Sequence, residues 1–578
     1  MRKLLEEIKR RNVFKVAFVY VVAGWVTMQI VDVMFPALHL PDWMTSAIAA
    51  MLLIGFPFAM IFAWAFEMTP EGIKREEDVD RSQSVTTNTG RKLNKSAVII
   101  LAIAVGFLLI DKFYLQPDAP TSTEKLSIAV LPFVNMSDDA DNEYFSDGLS
   151  EELLNVLSKI PQLHVAGRTS SFAFKGKTDD LRKIGEQLDV AHILEGSVRK
   201  SNTQLRITVQ LIDTDSGFHL WSETYDREVT DVFAVQDEIS AAVVEALKVT
   251  LLGGEIVTNF GTDNPEAYEL YLKARYFLEQ SNAENLVIGI EAIDRAIELD
   301  PDYANAYIIR ALFEQQSVSG WAGDGHDFLA GYERIRAYAD QAIELDPQSA
   351  EAHFVQGMVA ATADWEFAAA QSLFRRALEL EPQHIPARNW YGVGLIALGQ
   401  PEDAVLVFEE SLRMDPLMIT SIRTLGDAHF YAGNYPAAID AYEDVLELND
   451  TIARIDGRLS RVALMQGDID AAEAFAHKEE IEWEREYLLI LALGRRGKSD
   501  EWRAATEAYQ EKYGVSNSYQ FATLYGDAGY VDEAFEWLEK SRDVHDPGTV
   551  GARVDPFLNS LHDDPRWQPF VKSIGVAD

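Results

Sequence analysis

Three hydrophobic rhythms divide the chain. The first 115 residues hold three nearly continuous apolar stretches, Val16 to Phe35, Trp43 to Phe66 and Ser96 to Leu115, each about as long as a helix that crosses a bilayer core. After a Pro/Thr/Ser linker at 116–124 the runs shorten. Ser127-Ile-Ala-Val-Leu-Pro-Phe133 and Gln162 to Ala166 read as buried strands, while Phe145 to Ile160, stopped by Pro161, and Asp179 to Leu188, capped by Asp179 or Thr178, have helical spacing. The period then changes to two. Leu205, Ile207, Val209 and Leu211 alternate with Arg206, Thr208 and Gln210, which predicts strands at about 191–200, 203–213 and 217–225, packed on one face and joined by turns, before a helix from Val232 to Leu252. From residue 265 the rhythm is helical and recurs at long range. Ala296-Ile-Glu-Leu-Asp-Pro301 returns at 342–347, at 377–382 as Ala-Leu-Glu-Leu-Glu-Pro, at 411–416 as Ser-Leu-Arg-Met-Asp-Pro and at 445–450 as Val-Leu-Glu-Leu-Asn-Asp, the last three steps being 35, 34 and 34 residues.

A fixed period of that length predicts stacked helix pairs, because one pair of short helices cannot bury its own apolar faces and a row of them can. In the unit from Ile385 to Pro416, Gly392 and Ala404 are the small residues that let two helices approach, Phe408 fills the gap to the neighbour, and Pro416 stops the second helix; Leu425, Gly426, Tyr435, Ala438 and Tyr442 repeat the pattern. These positions resemble tetratricopeptide repeats. About eight units fit between 265 and 547, with a C-terminal tail at 548–578. The 46-residue step from Pro301 to Pro347 leaves roughly a dozen extra residues, for which the Gly-rich Ser317 to Asp327 reads as a surface loop.

Charge fixes an expected topology. Arg2, Lys3, Lys9, Arg10, Arg11 and Lys15 precede the first apolar stretch, residues 36–42 have no basic residue, and Lys74, Arg75, Arg81, Arg91, Lys92 and Lys95 lie between the second and third. The positive-inside rule then puts the N-terminus and the 67–95 loop in the cytoplasm, and an odd number of spans puts everything after about 116 on the far side of a bacterial inner membrane, the periplasm. Asp32 and Gln29 of the first span read as interfacial or interhelical polar groups. Past residue 115 there are 38 basic and 81 acidic residues, a net charge of −43, a balance that argues against nucleic acid or anionic lipid as partner of that part. The absence of cysteine fits an oxidising compartment in which packing alone holds the fold.

Ser127 to Phe133, together with Glu195-Gly-Ser-Val-Arg199, Gln210-Leu-Ile-Asp213 and Leu220-Trp-Ser-Glu-Thr-Tyr-Asp226, resembles the TolB N-terminal-like, FlgO-like domain, placed here at 125–252. The resemblance implies a layout of membrane span, α/β domain and tetratricopeptide repeats, seen in relatives whose cytoplasmic part is an adenylate cyclase or a winged-helix regulator; neither is recognisable in this chain. The expected fold is therefore multidomain, with three N-terminal transmembrane helices, an α/β domain with a mixed sheet, and an all-α superhelical solenoid.

Candidate chemistry is sparse. Gly176-Lys177-Thr178 lacks the first glycine of a phosphate loop, since Ser171 stands there. Asp139, Asp141 and Glu143 begin like a calcium loop, but Tyr144 and Ser150 occupy the glycine and glutamate positions. No catalytic, cofactor or metal site is assigned, and a non-enzymatic role is expected. The repeat resemblance implies a concave groove lined by each first helix, at Asn389, Trp390, Arg423, Asp427, Arg458 and Arg461. Its three arginines suit the carboxylates of an acidic protein partner, or else make interhelical ion pairs. The expectation is a membrane scaffold that binds protein partners through the solenoid, with a transmembrane signalling receptor as the alternative and a hydrolase a distant third.

Overall fold

The computed structural model describes nearly all of residues 126–247 and 261–577, the gaps including 321–327 and 450–451, and only scattered positions between 16 and 75 in the first 125 residues. Residues 1–123 and 124–578 form two compact units. In the first, strands β1 (Phe66–Thr69) and β2 (Gly72–Arg75) pair antiparallel, a hairpin in what the charge pattern marks as a loop. Among the described residues no helix is long and apolar enough to cross a membrane; most of the three apolar stretches, with Gln29 and Asp32, lie outside them.

The second unit opens with a mixed sheet. Strands β3 (Ser127–Val130), β4 (Val134–Asn135), β5 (His164–Val165), β6 (His192–Ser201), β7 (Gln204–Asp213) and β8 (His219–Glu228) take the order β5-β3-β6-β7-β8, with β4 also on β6. β3 runs parallel to β5 and β6, and β6, β7 and β8 form an antiparallel meander. Helices α1 (Glu143–Ser158) and α4 (Val232–Ala246) cover one face, where Leu149, Leu153, Val235 and Ile239 meet Ile128, Leu194, Ile207 and Val209. The other face is covered in part, by α2 (Arg168–Phe172), a five-residue helix with no periodic signature, and α3 (Leu181–Leu188), whose Ile184 and Leu188 pack on Ala129 and Ile193. The cap of α3 is Asp180, not Asp179 or Thr178: the helix begins at Leu181, so Asp180 stands at the cap position, and its carboxylate accepts from Arg182 N at 3.0 Å.

Eight helix pairs follow: α5 (Pro265–Glu279) and α6 (Ala283–Leu299), α7 (Ala304–Gly320) and α8 (Phe328–Leu345), α9 (Ala350–Thr362) and α10 (Phe367–Leu380), α11 (Ile385–Ala397) and α12 (Pro401–Met414), α13 (Ile419–Tyr431) and α14 (Tyr435–Leu448), α15 (Ile455–Gln466) and α16 (Ile469–Ala476), α17 (Glu482–Arg495) and α18 (Ser499–Tyr513), α19 (Ser518–Asp527) and α20 (Val531–Asp543). The small residues do what close approach requires. A Cβ on Gly357, Gly392 or Gly426 would stand 2.5, 2.7 or 2.5 Å from the ring of Phe374, Phe408 or Tyr442, so each second helix rests its aromatic on bare backbone. First helices also pack on first helices, α7 on α9, α9 on α11, α11 on α13, α15 on α17 and α17 on α19; they form the inner row, and the second helices face outward. The expected surface loop is partly helix: residues 317–320 belong to α7, so part of the insertion lengthens the second pair.

The sheet domain is fastened to the repeats. Leu272 of α5 packs on Gly148, where a Cβ would come within 3.0 Å, and Arg275 reaches Glu151 and, at 2.5 Å, Glu152 of α1. The Gln383 side chain donates to the Ser158 and Leu163 carbonyls (3.1 and 3.0 Å) and accepts from Val165 N (3.3 Å), occupying polar groups at the edge strand β5. In the turn between α12 and α13, Asp415 accepts from Ser170 N at 2.8 Å and from the Ser170 hydroxyl, while Met414 O accepts from Gly167 N at 2.7 Å.

Candidate functional site

The groove follows from the inner row of first helices. Asn389 of α11 is buried, 6 % exposed; its Nδ2 donates to Ser421 Oγ of α13 at 2.8 Å and its Oδ1 has no partner. Trp390 is half-buried with its ring 6.3 Å from that of Phe374. These two tie neighbouring pairs together.

The charged positions are arranged otherwise than as a row of free cations. Arg458 of α15 holds Asp427 of α13 through Nε at 2.7 Å and Nη2 at 3.2 Å, and Tyr442 donates to the same carboxylate at 2.8 Å. Burial pushes the Asp427 carboxyl up, but the Arg458 charge and the two donors override it and hold it below the usual carboxylate range. Arg461 lies against the rings of Phe430 and Phe557, 4.9 and 5.6 Å from their centroids, and reaches Asp555 at 3.4 Å. Arg454, beside them, takes Glu484 at 2.6 Å. Among the described residues Arg423 makes no ion pair within hydrogen-bonding distance, although the Asp427 charge on the same helix attracts it, and its Nε is buried with no hydrogen-bond partner. Two of the three groove arginines are therefore spent on the chain's own carboxylates, as expected when acids outnumber bases 92 to 51.

Asp555 belongs to the segment after the last pair, which reads from sequence as a tail and is in fact part of the core. Turns of 3₁₀ helix at Pro547–Gly551 and Pro556–Leu561 lead to α21 (Trp567–Ser573). Phe557, Leu558, Leu561, Trp567, Ile574 and Val576 are all under 5 % exposed. Asp546 accepts from Tyr519 N at 3.0 Å, and Asp555 accepts from the Tyr519 hydroxyl at 2.9 Å as well as from Arg461. At the other end the segment meets the third pair: His545 stacks on Trp365 at 3.9 Å and 14°, its Nε2 lies 3.2 Å from Thr362 O, and Gly575 abuts the Trp365 carbonyl. The segment thus ties pair eight back to pair three and fills the groove along the C-terminal halves of the first helices, at Leu395, Tyr431, Arg461, Arg495 and Gly526. A signal for it stands in the sequence: Asp-Pro recurs every nine residues, at 546, 555 and 564, among Phe557, Leu561, Trp567 and Phe570. Among the described residues no group of three or more His, Asp or Glu is placed to hold a metal ion.

Comparison with known proteins decides the repeat. A tetratricopeptide-repeat family model matches residues 366–418 and 423–483. The chain carries tetratricopeptide repeats. At 124–242 the matching model is that of the HilA/YgeH-like transcriptional regulator, second domain; the likeness to TolB and FlgO rests on the motifs alone. A protein of Rhizobium meliloti (strain 1021) named putative adenylate cyclase 3 is 42 % identical over 213 residues, 36 % of this chain and 36 % of that protein, so the match spans about a third of the relative's length. Similar solved structures include the type IV pilus biogenesis factor PilW (19 % identical, TM-score 0.31, covering 36 % of this chain and 91 % of PilW). Others are YrrB, described as a TPR protein with an unusual peptide-binding site (20 %, 0.26, covering 36 % and 99 %), and a tetratricopeptide repeat protein from Parabacteroides merdae ATCC 43184 (12 %, 0.34, covering 48 % and 100 %). At these scores they say nothing of partners.

Proposed function

We propose that this chain is a non-enzymatic, membrane-anchored scaffold whose solenoid and α/β domain stand on the periplasmic side of a bacterial inner membrane and dock a protein partner in the open half of the groove. The observation that carries the docking part is the division of the groove: the C-terminal halves of the first helices are covered by residues 545–577, whereas in the N-terminal half of α13 the buried Nε of Arg423 has no hydrogen-bond acceptor. Solenoids of this kind serve as extended binding surfaces, and the reading needs no cofactor. A photoreactive residue at Trp390 or Arg423 should crosslink a discrete protein in cells, and one at Leu406 on the outward α12, 63 % exposed, should not. Equal capture at all three, or none at the first two, removes the docking reading. Its compartment is tested separately by a reporter fused after residue 130; a cytoplasmic signal there overturns it.

A second reading, a signalling receptor that passes partner binding to a cytoplasmic protein through the 67–95 loop, is favoured by the fastening of α2 to the Asp415 turn and by the name of the Rhizobium meliloti relative. It predicts that scrambling 71–91 abolishes output and leaves partner binding intact.

A further inference from the structure

Arg423 differs from the arginines on the neighbouring helix α15. Carboxylates outnumber basic residues 92 to 51, and most guanidinium groups of the repeats hold one; Arg388 of α11, whose Nη2 reaches only the Pro382 carbonyl and whose Nε is also buried without a partner, does not. The neighbours of Arg423 do: Arg458 takes Asp427, and Arg454 takes Glu484. The nearby Glu479 spends its two oxygens on the N–H groups of Gly457 and Ile481. Among the described residues no carboxylate is hydrogen-bonded to Arg423, though the Asp427 charge four residues on still attracts it. Arg375, which also makes no ion pair among the described residues, is exposed to solvent; Arg423 is half-buried, its Nε is sealed from solvent without an acceptor, and burial and the Arg458 and Arg454 charges, opposed by the Asp427 charge, push its protonation equilibrium down. A cation kept partly desolvated and flanked by like charges destabilises the free protein. The same arrangement favours any anion that arrives. On α11, the first helix packed against α13, Val393 keeps 38 % of its surface exposed and Trp390 is half-buried, apolar surface on the same inner row.

We propose that Arg423 anchors a carboxylate-binding site for an acidic segment of a protein partner, an aspartate or glutamate against the guanidinium and an apolar neighbour against Val393 and Trp390. This rests on the scaffold reading. The full-length protein is titrated against a fluorescein-labelled hexapeptide of alternating leucine and glutamate, the leucine–glutamine counterpart, and inorganic phosphate as competitor. Arg423→Gln should weaken the glutamate peptide at least about tenfold, the scale of one charge-assisted contact, while Arg375→Gln leaves it unchanged. Without peptide, Arg423→Gln should melt at or above the wild-type temperature, which a merely structural arginine would not allow. Equal binding of the glutamine peptide, full displacement by phosphate at equal carboxylate concentration, an unaffected Arg423→Gln, or no binding of the glutamate peptide would each overturn the site. If Trp390 still captures a partner in the Arg423→Gln background, the anchor fails and the scaffold stands; loss of capture in the wild type removes both.

Discussion

Gly575 offers the sharpest test that residues 545–577 close the groove. Its φ is +74°, and a Cβ there would overlap the Trp365 carbonyl oxygen, a backbone atom that cannot rotate aside. Alanine in the left-handed region costs roughly 1–2 kcal/mol by itself. Relieving the overlap means lifting the last residues off the third pair, which exposes Ile574 and Val576, both 0 % exposed, at about 1.5–3 kcal/mol each. The chain takes the cheaper route, so Gly575→Ala should cost about 4 kcal/mol, with undocking as its upper limit. Gly467→Ala is the control: φ is +80° and nothing lies within 4 Å of its Cβ, so it pays the strain alone, roughly 1–2 kcal/mol. Hydrogen exchange on the full-length protein, read on peptides spanning 567–577 and 359–367, should show Gly575→Ala losing protection by roughly thirty-fold more than Gly467→Ala, the equivalent of about 2 kcal/mol. Equal protection in the two variants would refute the contact and with it the closure.

Other expectations follow from the same contacts. Arg461→Met leaves Asp555 buried with one donor fewer, so a loss of about 3–5 kcal/mol is expected in chemical denaturation, and much less in the double variant with Asp555→Asn. Asp427 has a native pKa below its unfolded one, so its contribution is present above the unfolded value and lost as pH falls below about 4; Asp427→Asn should flatten that part of the stability–pH curve and leave the neutral limb lower. Gly392→Ala, whose Cβ would meet the Phe408 ring at 2.7 Å, should lower stability by about 1–3 kcal/mol, measured by thermal unfolding.

The legible parts of the fold are those where one residue type has one job. The aromatic-on-glycine contacts at Gly392 and Gly426 come from local pattern, because only a missing Cβ admits the ring. The alternating run at 205–211 gives β7 for the same reason. What escaped depends on distance. Gly497, which ends α17 in the left-handed region at φ +73° as Gly399, Gly433, Gly467 and Gly529 end theirs, marks a unit whose Asp-Pro ending has worn away. The partners of Arg458 and Arg461 are 31 and 94 residues off, beyond any spacing rule, so the groove positions could be named while their state as free or bound could not. The docking of 545–577 was hidden because its burial is against a surface that exists only once eight pairs have stacked.

The position of Arg423 relative to the sheet domain gives the groove a mechanical consequence. The turn that holds Asp415 opens directly into α13 at Ile419, and Arg423 sits in the second turn of that helix. On the other side of the turn, Asp415 receives the N–H and hydroxyl of Ser170 in α2, and the Leu417 N–H returns to the same hydroxyl at 2.8 Å. A Cβ on Gly167 would collide with the Asp415 carboxylate, so α2 has no slack against the turn. Any shift of α13 on taking an acidic ligand is therefore carried into α2 through eight residues and a buried set of hydrogen bonds, without need of a longer path. Hydrogen exchange at 168–172 should change when the leucine–glutamate peptide is added to the wild type. In Asp415→Ala, which removes the acceptor at a cost of about 1–3 kcal/mol, the peptide should still bind and that change should vanish. If the response at 168–172 survives in Asp415→Ala, the coupling runs through α1 and Arg275 instead, and the Asp415 turn is only a fastening.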